Sequence, residues 1–264
     1  LTPFVRPCDA GALHPCAQSA WRHPARVTFL ATYTCPMTPD GSSPPTIVFV
    51  GGGNMARAII GGLRAKWPAM VINVVDPSVP GLDALVRDFG VRALVAADSS
   101  LKDTALVVWA VKPQSFAQAA LPYQGLVPHA LHLSVMAGIR SDTIARATHA
   151  QLVVRAMPNT PALIGQGITG LFARRGVDAA QRQRVEQVLA PTGQLLWFDD
   201  EPQLDAVTAL SGSGPAYVFY LLEAMIKAGE KVGLTAAAAK QLALATLHGA
   251  TQLAAQSEAS PQVL

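Results

Sequence analysis

The run Gly51-Gly52-Gly53-Asn54-Met55-Ala56 has the residue types and spacing to hold a dinucleotide. It fits G-x-G-x-x-G/A, with Ala56 in the third place, and directly follows the apolar run Thr46-Ile47-Val48-Phe49-Val50. The first glycine of such a pattern allows a tight turn, and the second lets the backbone approach a pyrophosphate. A small third residue lets helix and strand pack closely. The helix that begins there offers free N–H groups and a favourable dipole to phosphates. Val50, Gly51, Gly53, Asn54, Met55 and Ala56 are therefore candidate cofactor contacts; the alternative for the same residues is a tight turn without a ligand. Asp76 closes the next apolar run, Val71 to Val75. An acid there hydrogen-bonds the ribose 2′-OH of NAD and repels the additional phosphate of NADP. This leans toward NADH, with NADPH left open because a Pro77-Ser78 turn would point the carboxylate elsewhere.

Four further segments place small or polar residues at the ends of apolar runs. They are Ala110-Val111-Lys112-Pro113-Gln114, Met136-Ala137-Gly138-Ile139, Met157-Pro158-Asn159-Thr160-Pro161-Ala162, and the stretch from Asp205 through Ser211-Gly212-Ser213-Gly214-Pro215 to Tyr217. The first follows a strand-like run at the carboxyl edge of a sheet, where doubly wound folds bind ligands. Lys112 there is either a loop residue beside the ligand or an exposed amine with no part in chemistry. Asn159 either turns its amide toward a carboxamide or serves a Pro-flanked turn. The serine-glycine run reads as the start of a long helix, with a serine cap and proline in the first turn. Capping accounts for one serine only, and the glycines leave room for close approach of an anionic ligand.

In order and approximate spacing these segments resemble the pyrroline-5-carboxylate reductase family, from about Thr46 to Leu264. The resemblance implies hydride transfer from NADPH or NADH to the imine carbon of 1-pyrroline-5-carboxylate, giving L-proline. It implies that Ala110, Val111, Lys112 and Pro113 meet the nicotinamide ribose and that Ala137 and Gly138 lie near the nicotinamide. It places the start of the long helix against the reacting ring, so Ser213 and Ser211 are the catalytic candidates. Ser213 and Gly214 are the substrate contacts, with Glu201 a further one that a solvated helix start would also explain. A protonated imine is already electrophilic, so positioning rather than strong acid catalysis carries such a reaction. His129, His132, His149 and His248 read as structural.

These residues need a scaffold, and the chain supplies strands alternating with helices. Strand-like runs cover Thr46 to Val50, Val71 to Val75, Leu106 to Ala110, His129 to Val135, Leu152 to Met157 and Gln194 to Phe198. Helical stretches fall between them, notably Gly81 to Phe89, Ser115 to Ala120, Ser141 to Thr148 and Asp178 to Leu189. Continuous apolar strands separated by helices argue a parallel sheet covered on both faces. The expected fold is a doubly wound α/β (Rossmann) dinucleotide-binding domain over residues 46–204, followed by an all-helical dimerisation and substrate domain over 205–264. In the latter, Ala216 to Val232 and Ala236 to Ala255 are two Ala- and Leu-rich helices that cannot bury both faces alone, so a homodimer or higher homo-oligomer completes them.

Half of the 264 residues are apolar and 14% are charged, which suits a large core. No apolar run approaches the roughly 20 residues of a membrane span. The formal charge of +3 is scattered, which argues against a nucleic-acid partner. Cys8, Cys16 and Cys35 all precede residue 46, a pattern that suits a reducing cytoplasm, and they lack metal-ligand spacing. Residues 1–45 hold many of the prolines and no lysine, and read as a disordered extension. The family continues past the second long helix with a Ser-Pro-Gly-Gly-Thr-Thr loop that holds the substrate carboxylate. The chain ends at Ser260-Pro261-Gln262-Val263-Leu264, so a fragment is expected, with cofactor binding better supported than turnover. Two alternatives remain: a β-hydroxyacid-dehydrogenase-like reductase using Lys227, Lys231 or Lys240, and a non-catalytic dinucleotide-binding protein.

Overall fold

A computed structural model describes residues 46–264; the three cysteines and the expected extension lie outside the described residues. The chain begins with β1 (Ile47–Val50), α1 (Asn54–Lys66), β2 (Ile72–Val75), α2 (Val79–Phe89), β3 (Arg92–Leu94), β4 (Leu106–Trp109) and α3 (Phe116–Ala120). It continues with β5 (Leu131–Ser134), α4 (Ser141–Thr148), β6 (Val153–Met157), β7 (Gly167–Ala173), α5 (Ala179–Leu189) and β8 (Gly193–Phe198). Helices α6 (Gln203–Val207), α7 (Gly214–Lys231) and α8 (Ala236–Gln256) complete it.

The strands form one sheet in the order β3-β2-β1-β4-β5-β6-β7-β8. Strands β1 to β6 are parallel, so the order reverses direction between β1 and β4. Ile47 and Phe49 of β1 enter one apolar core, while Val48 and Val50 enter a second core on the opposite face. Burial on both faces is why β1, β2 and β4 read as continuous Val/Ile/Leu runs rather than alternating ones.

The expected all-parallel sheet is a mixed one. Strand β7 runs antiparallel to β6, and β8 runs parallel to β7. Strand β7 carries glycines where a sequence reading expects turns. A Cβ on Gly170 would come within 2.8 Å of the Val207 side chain, so the glycine marks the place where α6 crosses the strand. Strand β3 is a three-residue edge strand, too short for any periodicity. Asp178, expected inside its helix, caps α5 in a reciprocal box with Gln181.

Helices α7 and α8 pack on each other where Gly229 meets Ala239. Helix α7 buries no residue, and α8 buries only Ala239 and Ala243. Among the described residues, no helix is long and apolar enough to cross a membrane, and no cluster of three or more His, Cys, Asp or Glu could hold a metal.

Candidate functional site

The carboxyl ends of β1, β2, β4, β5 and β6 share one edge of the sheet, and the sequence candidates gather there. Gly51 follows β1 with φ +98°. A Cβ at Gly51 would sit 2.7 Å from the Ala110 carbonyl carbon and 2.8 Å from the Val111 nitrogen. Glycine therefore lets the turns after β1 and β4 approach closely, bringing Val50 and Gly51 beside Ala110 and Val111. Gly53 caps α1 without side-chain help; it and Asn54 are exposed, Met55 is half-buried, and Ala56 is fully buried under the helix. Among the described residues, a Cβ on Gly53 would meet nothing within 4 Å.

Asp76 does not project freely from β2. Its Oδ2 accepts from the Gly52 N–H at 2.8 Å, and its Oδ1 accepts from the Ser78 N–H at 2.8 Å. The carboxylate braces the glycine turn against the start of α2. Beside it lies an apolar cavity of about 340 Å³ between the ends of β1, β2 and β4, lined by Val50, Val75, Val95, Val111, Ala119 and Tyr123 among others. Lys112 and Pro113 open the turn after β4; both are exposed, and Lys112 makes no side-chain cap bond. Ala137 and Gly138, after β5, are likewise exposed.

The serine-glycine run starts the long helix as its composition suggests, with Ser213 at the cap position of α7 and Pro215 in its first turn. Thr208–Gly212 forms a turn of π-helix directly after α6, and a bend at Ser213 separates it from α7. The Ser213 N–H donates five residues back to Thr208 O at 2.8 Å, and neither serine caps a helix through its side chain. The Ser211 hydroxyl donates to Val207 O at 3.0 Å. The Ser213 hydroxyl has no hydrogen bond among the described residues. Asn159, past the end of β6, donates from Nδ2 to Ser211 O at 3.2 Å, and a Cβ on Gly212 would lie 2.6 Å from Met157 Cε. These contacts bring Ser211, Ser213 and Gly214 to the edge where the glycine turn lies.

Glu201 lies just before α6 and ties three segments together. Its Oε1 accepts from Arg155 Nη1 at 2.7 Å and from the Ser141 N–H at 2.6 Å; Oε2 accepts from the Ser141 hydroxyl at 2.7 Å. Burial raises its pKa, but the bonds from Ser141 and Arg155 outweigh that and hold it below the usual carboxylate range. The arrangement joins α4, which follows the Ala137-Gly138 turn, to the approach of α6. Lys227 is ion-paired with Glu223 on an exposed face.

A pyrroline-5-carboxylate reductase of Pseudomonas aeruginosa is 44% identical over 84% of this chain and 82% of its own length. This chain belongs to the pyrroline-5-carboxylate reductase family. A second member, from Haemophilus influenzae, is 37% identical over 82% of the chain and 80% of its own length. The solved reductase of Coxiella burnetii superposes with a TM-score of 0.75 at 35% identity, covering 81% of each chain. That of Streptococcus pyogenes gives a TM-score of 0.73 at 28% identity, covering 82% of each. Residues 201–264 match the family model for pyrroline-5-carboxylate reductase dimerisation. Residues 46–138 match that of an NADP oxidoreductase, coenzyme F420-dependent. The Rossmann architecture followed by a helical dimerisation segment is thus that of the reductase family.

Two partners of this site were missed in the sequence. Arg155 interrupts the apolar run of β6, and a lone charge inside a buried strand requires a partner, a signal that would have pointed to an acid. Ser141 gave no such signal, because its partner lies sixty residues on.

Proposed function

We propose that this chain reduces the imine of 1-pyrroline-5-carboxylate to L-proline with a hydride from NADPH or NADH. Membership of the reductase family supports the reaction. The observation that carries it to particular residues is the π turn: it holds the unengaged Ser213 hydroxyl at the edge of the sheet that bears the glycine turn. When bound, the reduced nicotinamide dinucleotide supplies the hydride.

The chain's own part is placement. Gly51, Gly53 and the N-terminus of α1, with Asn54, Met55 and Ala56, hold the pyrophosphate through backbone N–H groups. The apolar cavity beside Val75 and Val111 suits a planar adenine. Ala110, Val111, Lys112, Pro113, Ala137 and Gly138 present turn backbone and small side chains to the ribose and the nicotinamide. Ser213 offers its hydroxyl to the imine nitrogen, and Gly214 leaves room for the ring. Glu201 holds the surrounding turns and faces the substrate side with its remaining lone pairs. Helices α7 and α8 join two copies through their exposed apolar faces.

The test is NADH and NADPH oxidation on adding 1-pyrroline-5-carboxylate, with this chain and with the chain extended by the family's Ser-Pro-Gly-Gly-Thr-Thr segment. Proline-forming turnover in either is expected. Ser213→Ala then lowers kcat about tenfold or more while cofactor affinity stays within about threefold. Absence of turnover in both chains, with the cofactor bound, overturns the proposal.

A further inference from the structure

In a continuous helix the Ser211 carbonyl would accept from the amide of residue 215. Residue 215 is proline and has no N–H. The Ser213 N–H donates to Thr208 O at 2.8 Å, and the Ala216 N–H, the donor one residue further on, to Ser213 O at 3.0 Å. The orphaned carbonyl is satisfied from outside the helix, by Asn159 Nδ2 at 3.2 Å. The other end of the same amide, Oδ1, accepts from the Ile168 N–H at 3.0 Å. One planar group thus spans the end of β6, the start of β7 and the π turn.

We propose that Asn159 is a positioning residue. It replaces the helix bond that Pro215 cannot make and so fixes the turn that presents Ser213, rather than contacting the nicotinamide carboxamide. The inference rests on reading Ser213 as the substrate-facing hydroxyl. The turn packs against the end of β6, where Met157 Cε lies 2.6 Å from the place of a Cβ on Gly212. Loss of the Asn159 bond leaves a partly buried carbonyl unsatisfied, which favours reorganisation of the turn.

Three variants decide it: Asn159→Asp, Pro215→Ala and the two combined. Aspartate keeps the acceptor for Ile168 and removes the donor to Ser211; alanine at 215 returns an N–H to the Ser211 carbonyl. Hydrogen exchange of the segment 205–216, cofactor affinity by fluorescence, and steady-state kinetics are measured on each. Asn159→Asp should speed exchange at the Ser213 amide and lower kcat, each about tenfold or more, with cofactor Kd within about threefold. The double variant should recover most of both losses. A tenfold rise in cofactor Kd with unchanged exchange overturns the proposal, as does failure of Pro215→Ala to rescue. If Asn159→Asp alone does not fold, recovery of the fold in the double variant supports the proposal and continued unfolding overturns it. If the unsubstituted chain turns over no imine, the functional reading fails, while the exchange arm still decides the role of Asn159.

Discussion

Asp76 and His132 show how a side chain's partners, rather than its type, set its role. An acid ending the second strand of a dinucleotide fold suggests a ribose contact, and each Asp76 oxygen also accepts one backbone N–H. Asp76→Ala should therefore raise the KM for NADH and NADPH together, by factors within about threefold of each other, because it loosens the shared glycine turn. Selective loss of NADH with gain of NADPH would return the residue to the ribose. His132 is 1% exposed, and its Nδ1 accepts from Trp109 Nε1–H at 3.0 Å. Indole can only donate, so Nδ1 carries no proton and the ring is neutral. Burial drives its pKa down from 6.5 to about 4. The folded state then binds fewer protons than the unfolded one, and stability falls as pH drops through that window. The loss should approach about 3 kcal/mol between neutral pH and pH 4. Unfolding midpoints measured across this range should show it, and His132→Gln should flatten the profile.

Where the elements meet, the Arg155–Glu201–Ser141 set joins β6, α4 and the approach to α6. Arg155 and Glu201 side chains are 5% and 14% exposed. Removing one partner leaves the other charge buried, so Glu201→Ala should cost about 3–5 kcal/mol in urea denaturation. Arg155→Met combined with Glu201→Leu should cost less than Glu201→Ala alone, because no charge is then stranded. The strands and helices most legible in the sequence were those whose packing matches their local pattern: β1, β2 and β4 as apolar runs, and α4 with Ile144 and Ala145 facing the core. Strand β7 was illegible because Gly170 is there to admit Val207, a reason that lies in another element. The glycine turn was legible because strand, turn and helix are contiguous. The π turn was not: Ser-Gly-Ser-Gly-Pro spells the start of α7, which it is, and nothing local marks the π bonding just before it.

Over the whole molecule, α7 and α8 leave the apolar surface that an assembly of copies would cover. Phe219 and Tyr220 are 62% and 77% exposed, with Leu242, Leu244 and Leu253 also uncovered. The family model matched here is one of dimerisation. Phe219→Asp with Tyr220→Asp should turn a dimer or larger assembly into monomers in sedimentation at micromolar concentration. Helix content should be kept, because neither side chain is buried within the chain. Turnover should fall with the assembly if the partner completes the site. The π turn acquires a second meaning at this scale. It links α6 to the bend at Ser213 that opens α7, and each residue of an α-helix advances about 100° around the axis. The turn therefore works as a phase setting between the sheet and the subunit contact. Deleting one residue at Gly212 would leave α7 helical yet rotate Tyr217, Phe219 and Tyr220 by about a quarter turn or more. Ser213 and the exposed aromatic side chains of α7 thus share a single angular register, and neither can be re-aimed without the other.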